Sequence, residues 1–284
     1  MGIITKKAIN VMLRTSKLLS FLDEEHNFQV RFLEGQKLIN DLALIHDVKN
    51  HGFAFFRHLI LTNVHLISTL KNGEGFGLFI DSSDPYYRFK LECSENGNIR
   101  TLLFPEDIDI LPKKINGELR FSKLFPGRVS PYTSIIRLEN ESTKTVTDTF
   151  LKESHQVKAQ IFLTEISDQS IYIAKLPNRN TATDDLSLTE YWESKKDFFD
   201  DIFKLGTTDS AEIIAAFKKQ KLTHLQNKNI KFSCPCSEKK MIEGIWSLIK
   251  TESVDQVFLD KEELDIRCDY CKTTYVVNKN HFKS

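Results

Sequence analysis

Four of the chain's five cysteines fall in two close pairs near its end: Cys234 and Cys236 in FSCPCSEKK, and Cys268 and Cys271 in IRCDYCKTTY. A C-x-C and a C-x-x-C with 31 residues between them (237–267) can offer four thiolates to one tetrahedral zinc ion. Thiolate is a ligand type that zinc favours, and a strand-turn knuckle aims both sulfurs of a pair at one point. The stretch that carries them is too short to build a self-sufficient apolar core. A metal tie there would be folding energy, on the order of 10–16 kcal/mol in small structural sites. Four unrelated reduced thiols are the competing reading, and paired spacing argues against it. Thiolates bound to zinc also remain nucleophilic towards peroxide or hypochlorous acid where they are exposed, so the tie is either a permanent staple or one built to be undone.

The elements that must position these thiols are short. NIKFSCPC reads as a strand running into the first pair, and ELDIRC and TTYVV as strands flanking the second. Between them MIEGIWSLI sets Ile242, Ile245, Trp246 and Ile249 on one helical face.

Upstream, FQVRFL alternates as a strand, residues 37–70 carry helical periodicity, and GLFI, YYRFKLEC, NIRTLLF, ELRFSKL and TSIIRL read as further strands. A helix near 142–154 and the strands VKAQIFL and SIYIAKL complete that part. Runs of strands with segregated helices predict an α+β fold rather than alternating βαβ units. The polar stretch LPNRNTATDD marks a boundary. Beyond it, Leu188, Trp192, Phe199 and Phe203 recur at helical spacing among charges, and Asp209 with Glu212 suggests a capping box opening a second helix. The predicted organisation is an N-terminal extension (1–16), a mixed or antiparallel-sheet core with packed helices (17–178), a helical linker (179–230) and a small zinc-binding domain (231–284).

Composition narrows the functional classes. A hydrophobic fraction of 40% with 21 Phe supports a packed core. Lys plus Arg equals Asp plus Glu at 39 each, and residues 231–284 hold nine of each sign, which disfavours a nucleic-acid or anionic-membrane binder. No apolar run reaches the roughly 18–20 residues of a membrane helix. The basic first 22 residues lack the apolar segment of a secretory signal. Clustered thiols without a spread disulfide framework point to a reducing, cytoplasmic setting.

Other motifs yield to plainer readings. The glycines of NGEGFG precede a strand instead of following one, so a tight turn is expected, not a phosphate loop. Cys93 reads as an ordinary strand thiol, and His58 and His65 as packing or surface residues. No paired-carboxylate, Ser-His-Asp or His-metal spacing emerges, so no enzyme is predicted.

The segment FSCPCSEKK … ELDIRCDYCKTTYVV resembles the zinc-binding end of the redox-regulated heat-shock chaperone family (heat-shock protein 33). Phe232, Cys234, Cys236, Ser237, Cys268, Asp269, Tyr270, Cys271 and Tyr275 fall where that pattern places them. The resemblance is tight over 229–275 and continues thinly upstream through DSAEIIAAF, SPYTSIIRL and NGEGFG. The chain departs from it at Thr133-Ser134, at ENESTKTV, and at Lys272, where Gly or Asn is common.

The resemblance implies an ATP-independent holdase, inactive while reduced and holding one zinc on Cys234, Cys236, Cys268 and Cys271. Oxidation would then form the disulfides Cys234–Cys236 and Cys268–Cys271 and release the metal. Each closes only a tiny loop where the metal closes a long one, so the module should lose its fold. The linker, with Trp192, Phe199 and Phe203, would then unfold and bind client proteins. Unfolding clients and, in the oxidised form, a second copy of the chain are the implied partners. The competing readings are a zinc-stapled binding module, for RNA for example, in which the metal never leaves, and a holdase without the switch.

Overall fold

The computed structural model describes residues 13–108, 112–153, 157–177, 186–206 and 209–282. Residues 1–12 of the expected N-terminal extension and residues 178–185 of the expected boundary stretch lie outside them.

In chain order, β1 (Lys17–Asp23) and β2 (Phe28–Glu34) form a hairpin that leads into α1 (Gln36–His46) and α2 (Asn50–Asn63). A 3-10 turn prolongs α2 through Val64–Thr69. Five strands follow: β3 (Gly75–Asp84), β4 (Tyr86–Ser94), β5 (Asn98–Phe104), β6 (Lys114–Leu124) and β7 (Tyr132–Ser142). Next come α3 (Val146–Glu153), β8 (Ala159–Leu163), β9 (Gln169–Lys175), α4 (Leu188–Lys204), α5 (Ser210–Lys219) and β10 (Thr223–Asn229). The end of the chain holds β11 (Lys231–Phe232), α6 (Glu238–Ile249), α7 (Val254–Phe258), β12 (Glu263–Arg267) and β13 (Thr274–Asn278). The class is α+β with antiparallel pairing throughout the registered strands.

The residues form two compact units. One comprises the chain up to Asn40 with Val157–Lys231, the other Asp41–Gln156 with the chain from Phe232 onward. The first unit contains a five-stranded sheet in the order β10-β1-β2-β9-β8. Alternation sends Leu19, Phe21, Phe28, Val30, Phe32, Ile171 and Ile173 into its core, where they meet Tyr191, Phe199, Ile202 and Phe203 of α4 and Ile213 and Phe217 of α5. Each such side chain contributes roughly 1.5–3 kcal/mol on burial. Helix α4 begins at Ser187, whose hydroxyl accepts from the Glu190 amide while the Glu190 carboxylate accepts from the Ser187 amide. At α5 the capping is simpler: Asp209 accepts from the Ala211 amide. Strand β10 adds to β1 as an edge strand, an element that the helical reading of 179–230 did not include.

The second unit contains a six-stranded sheet in the order β11-β5-β4-β3-β6-β7 and the two-stranded β12-β13. Phe55, Phe56 and Leu59 of α2 are buried, with Phe55 edge-on to Tyr87 of β4 and Phe56 edge-on to Phe89. The helical stretch expected over 37–70 is broken between α1 and α2, where Asp47 (φ 48°) and Asn50 (φ 51°) take left-handed backbone that stops a helix. NGEGFG turns at Gly73 (φ 75°) and enters β3 at Gly75. Along β4, Tyr87, Phe89, Leu91 and Cys93 point into the core, so Arg88, Lys90 and Glu92 occupy the other face. Burial raises the Cys93 thiol well above its ordinary range, as expected for a core thiol. No helix among the described residues is long and apolar enough to cross a membrane.

Candidate metal centre

The first cysteine pair follows β11, and the chain turns helical directly after it because the Ser237 hydroxyl caps α6, accepting from the Lys240 amide at 3.3 Å. The second pair sits in the knuckle between β12 and β13. There the Cys268 amide donates to the Thr273 carbonyl (2.9 Å) and the Lys272 amide to the Cys268 carbonyl (2.8 Å). Closing this turn puts Lys272 at φ 61°, left-handed backbone that Gly or Asn takes at less cost than Lys. The module has its own small core of Ile245, Phe258, Val277 and Phe282, with Met241, Ile242, Ile249 and Leu264 packed around it.

These two knuckles bring Cys234, Cys236, Cys268 and Cys271 together with all four sulfurs within 4.8 Å of one another. Cys234 Sγ lies 3.7 Å from Cys268 Sγ, and Cys236 Sγ lies 3.2 Å from Cys271 Sγ and 3.1 Å from the Tyr275 hydroxyl. A tetrahedral site with metal–sulfur bonds of about 2.3 Å requires sulfurs roughly 3.8 Å apart. The donor set therefore fits a zinc ion in number, type and spread. Burial first, then hydrogen bonding with Cys236 and Cys268, pushes Cys234 up to about 12. Burial likewise raises Cys268. For Cys271, burial pushes upward but is outweighed by hydrogen bonds with the Thr273 side chain and backbone and with the neighbouring thiols, which bring it down to about 6. One sulfur is thus poised as a thiolate inside a cluster that repels further negative charge unless a cation joins it.

The other predicted residues lie in the first unit. Phe199 and Phe203 are buried, and Trp192 is half-buried between them and β8, its indole stacked on Phe162 with ring centroids 3.6 Å apart. Tyr191, which the sequence reading passed over, is fully buried and donates from its hydroxyl to Asp23 Oδ2 at 2.9 Å. A groove of about 340 Å³ beside α4 is lined by Phe162, Leu163, Ile166, Trp192 and Phe203 among others. Also unread in the sequence were Glu92 and Arg100, which meet Tyr270 inside the second cysteine pair. The only earlier signal for them was period-two alternation on β4 and β5, which puts both on the outward face.

The described residues define an antiparallel α+β protein that ends in a four-cysteine candidate metal centre. The family model described as "Hsp33 protein" matches residues 16–278, and the chain belongs to that family of chaperones. The 33 kDa chaperonin of Shigella flexneri is 20% identical over 273 residues, covering 89% of this chain and 90% of the relative. That of Cronobacter sakazakii is 25% identical over 179 residues, covering 61% and 59%. The crystal structure of the 33 kDa chaperonin from Thermotoga maritima superposes with a TM-score of 0.69 at 12% identity, covering 94% of this chain and 96% of that one, a likeness of fold.

Proposed function

We propose that this chaperone is an ATP-independent holdase that is held inactive by its reduced cysteine cluster and acts in a reducing compartment, the cytoplasm. The observation that carries the reading is the convergence of four thiols from two distant pairs on one point. A zinc ion held by Cys234, Cys236, Cys268 and Cys271 would supply the long-range cross-link and keep the sulfurs as thiolates.

Oxidation is a balanced step at each pair. The thiolates of Cys234 and Cys236 give up two electrons and their bonds to the metal and form one S–S bond, while one peroxide takes those electrons and two protons from solvent, its O–O bond breaking to give two waters. Cys268 and Cys271 do the same with a second peroxide. The products tie only neighbours, so the module loses the constraint between its knuckles. Helix α4 then supplies the client surface, with Trp192, Phe199 and Phe203 changing from covered to exposed, and the oxidised chain takes a second copy of itself as partner. The charged yet aromatic-rich character of α4 suits a segment of low local stability.

The test follows zinc release and suppression of client aggregation together, before and after peroxide at elevated temperature. Joint gain is expected. Zinc retained after oxidation would sink the switch and leave a stapled binding module. Holdase activity in the reduced, zinc-loaded chain would leave a chaperone without redox control.

A further inference from the structure

The cysteine module is tied to the six-stranded sheet by side chains other than its sulfurs. Strand register sets Glu92 on β4 directly opposite Arg100 on β5. Arg100 Nε donates to Glu92 Oε2 at 2.7 Å, and Tyr270 donates from its hydroxyl to Glu92 Oε1 at 2.6 Å. The guanidinium carbon of Arg100 lies 4.2 Å above the Tyr270 ring. Tyr270 stands in the chain between Cys268 and Cys271, so the Arg100 guanidinium stacks on the knuckle that carries the second pair. The first pair is held by the backbone as well, since the Ser233 amide donates to the Ile99 carbonyl at 2.9 Å. Lys272, next after Cys271, pairs with Glu106 at 2.5 Å, and the same carboxylate oxygen meets Nδ1 of the buried His46 at 3.1 Å.

We propose that Glu92, Arg100 and Tyr270 form a positioning clamp through which the sheet holds the two cysteine pairs against each other, so that the cluster opens only when this clamp gives way along with the metal tie. The proposal rests on the reading of the cluster as a zinc centre and concerns its regulation. Three physical features favour it. Glu92 is a common acceptor for a residue of the core sheet and a residue of the second knuckle, and both hydrogen bonds are short. The Arg100 and Glu92 side chains are 26% and 29% exposed, so their pairing is screened less than a surface ion pair. A guanidinium beside a four-thiolate cluster also favours the closed, negatively charged form.

The experiment loads the reduced full-length chain with Co2+, whose thiolate charge-transfer and ligand-field bands report the four-sulfur site directly. It compares wild type, Glu92→Gln, Tyr270→Phe and the double variant. The clamp predicts unchanged bands in every variant. It also predicts loss of Co2+ to a competing chelator roughly tenfold faster in each single variant, the effect of one charge-assisted hydrogen bond. In the double variant the two effects should not multiply, because both changes act on the one contact between residues 92 and 270, Glu92→Gln taking the acceptor's charge and Tyr270→Phe the donor. Arg100→Lys, which keeps the charge but not the fork over Tyr270, should lie between wild type and Glu92→Gln. Unchanged loss rates in variants with wild-type bands would overturn the clamp while leaving the metal centre standing, and multiplicative effects would reduce it to general stability. Tyr270→Phe deletes only a hydroxyl and serves where Glu92→Gln fails to fold. Absence of thiolate bands in the wild type would overturn the metal reading and the clamp with it.

Discussion

The indole of Trp192 lies face to face with the ring of Phe162, their centroids 3.6 Å apart and their planes 4° from parallel. Trp192 also stacks on Phe199 at 5.1 Å, so one half-buried residue joins the start of α4 to strand β8 and to the helix's own buried stripe. If α4 is the segment that must come loose, this stack is where its docking is decided.

Trp192→Ala therefore removes the stack and part of the apolar contact, lowering the local stability of α4 by about 2 kcal/mol. Amide exchange across residues 188–204 should accelerate by roughly thirtyfold with the thiols still reduced. On the holdase reading, the same variant suppresses client aggregation without oxidant. Fast exchange with no suppression would show that loosening α4 is insufficient.

The hydroxyl of Tyr191 carries a second part of the docking. Asp23 is buried, and its carboxylate is met by Tyr191 at 2.9 Å and by His26 Nδ1 at 3.1 Å, with Lys195 at 3.9 Å. Tyr191→Phe keeps the ring stacked on Phe28 but takes one donor from a buried carboxylate, which costs about 1–3 kcal/mol. Chemical denaturation of the first unit should show a lower midpoint with an unchanged slope. An unchanged midpoint would mean that water replaces the hydroxyl.

Parts of this arrangement were readable from residue types alone. The C-x-C and C-x-x-C pairs announced a four-sulfur centre because ligand spacing is local. Cys93 was readable as an ordinary strand thiol, and β4 buries it in the core. The partnership of Glu92 and Arg100 with Tyr270 was not readable, since it depends on strand register and on contacts between residues 178 apart. Strand β10 escaped because THLQNKN is polar and mostly exposed, so an edge strand there has no apolar alternation to betray it. The break between α1 and α2 escaped because apolar periodicity runs up to Asp47 and Asn50, and only their backbone stops it.

Histidine burial in the second unit makes a pH prediction. His58 on α2 is pushed down to about 4, chiefly by burial, with the charges of Arg57 and Lys144 adding to it and a backbone hydrogen bond with Thr143 opposing it. Below about pH 6.5 the unfolded chain binds a proton at this residue that the folded chain refuses. Stability contributed by neutral His58 is thus complete above pH 6.5 and declines as pH falls towards 4, by roughly 3 kcal/mol in total. Thermal melts of wild type and His58→Gln compared from pH 7.5 to 4 isolate this dependence. The two curves should diverge below pH 6.5, with the wild type falling more steeply, and parallel curves would refute the assignment.

Metal removal provides the most direct check on the cysteine module. Its core consists of Ile245, Phe258, Val277 and Phe282, too few side chains to outweigh the ordering of about fifty residues without a cross-link. Trp246 sits edge-on to Phe282 with ring centroids 5.1 Å apart and is 42% exposed, so its emission reports whether that core is closed. In a Trp192→Phe background, chelation of the reduced protein should shift Trp246 emission to the red and speed amide exchange across 238–282. One equivalent of zinc should reverse both. Cys268→Ser should lower zinc affinity by several orders of magnitude and hold the module in the opened state at ordinary zinc concentrations. A module that keeps its Trp246 emission after chelation would mean that the sheet contacts of Ser233, Tyr270 and Lys272 suffice to fold it, and that the four sulfurs serve chemistry rather than architecture.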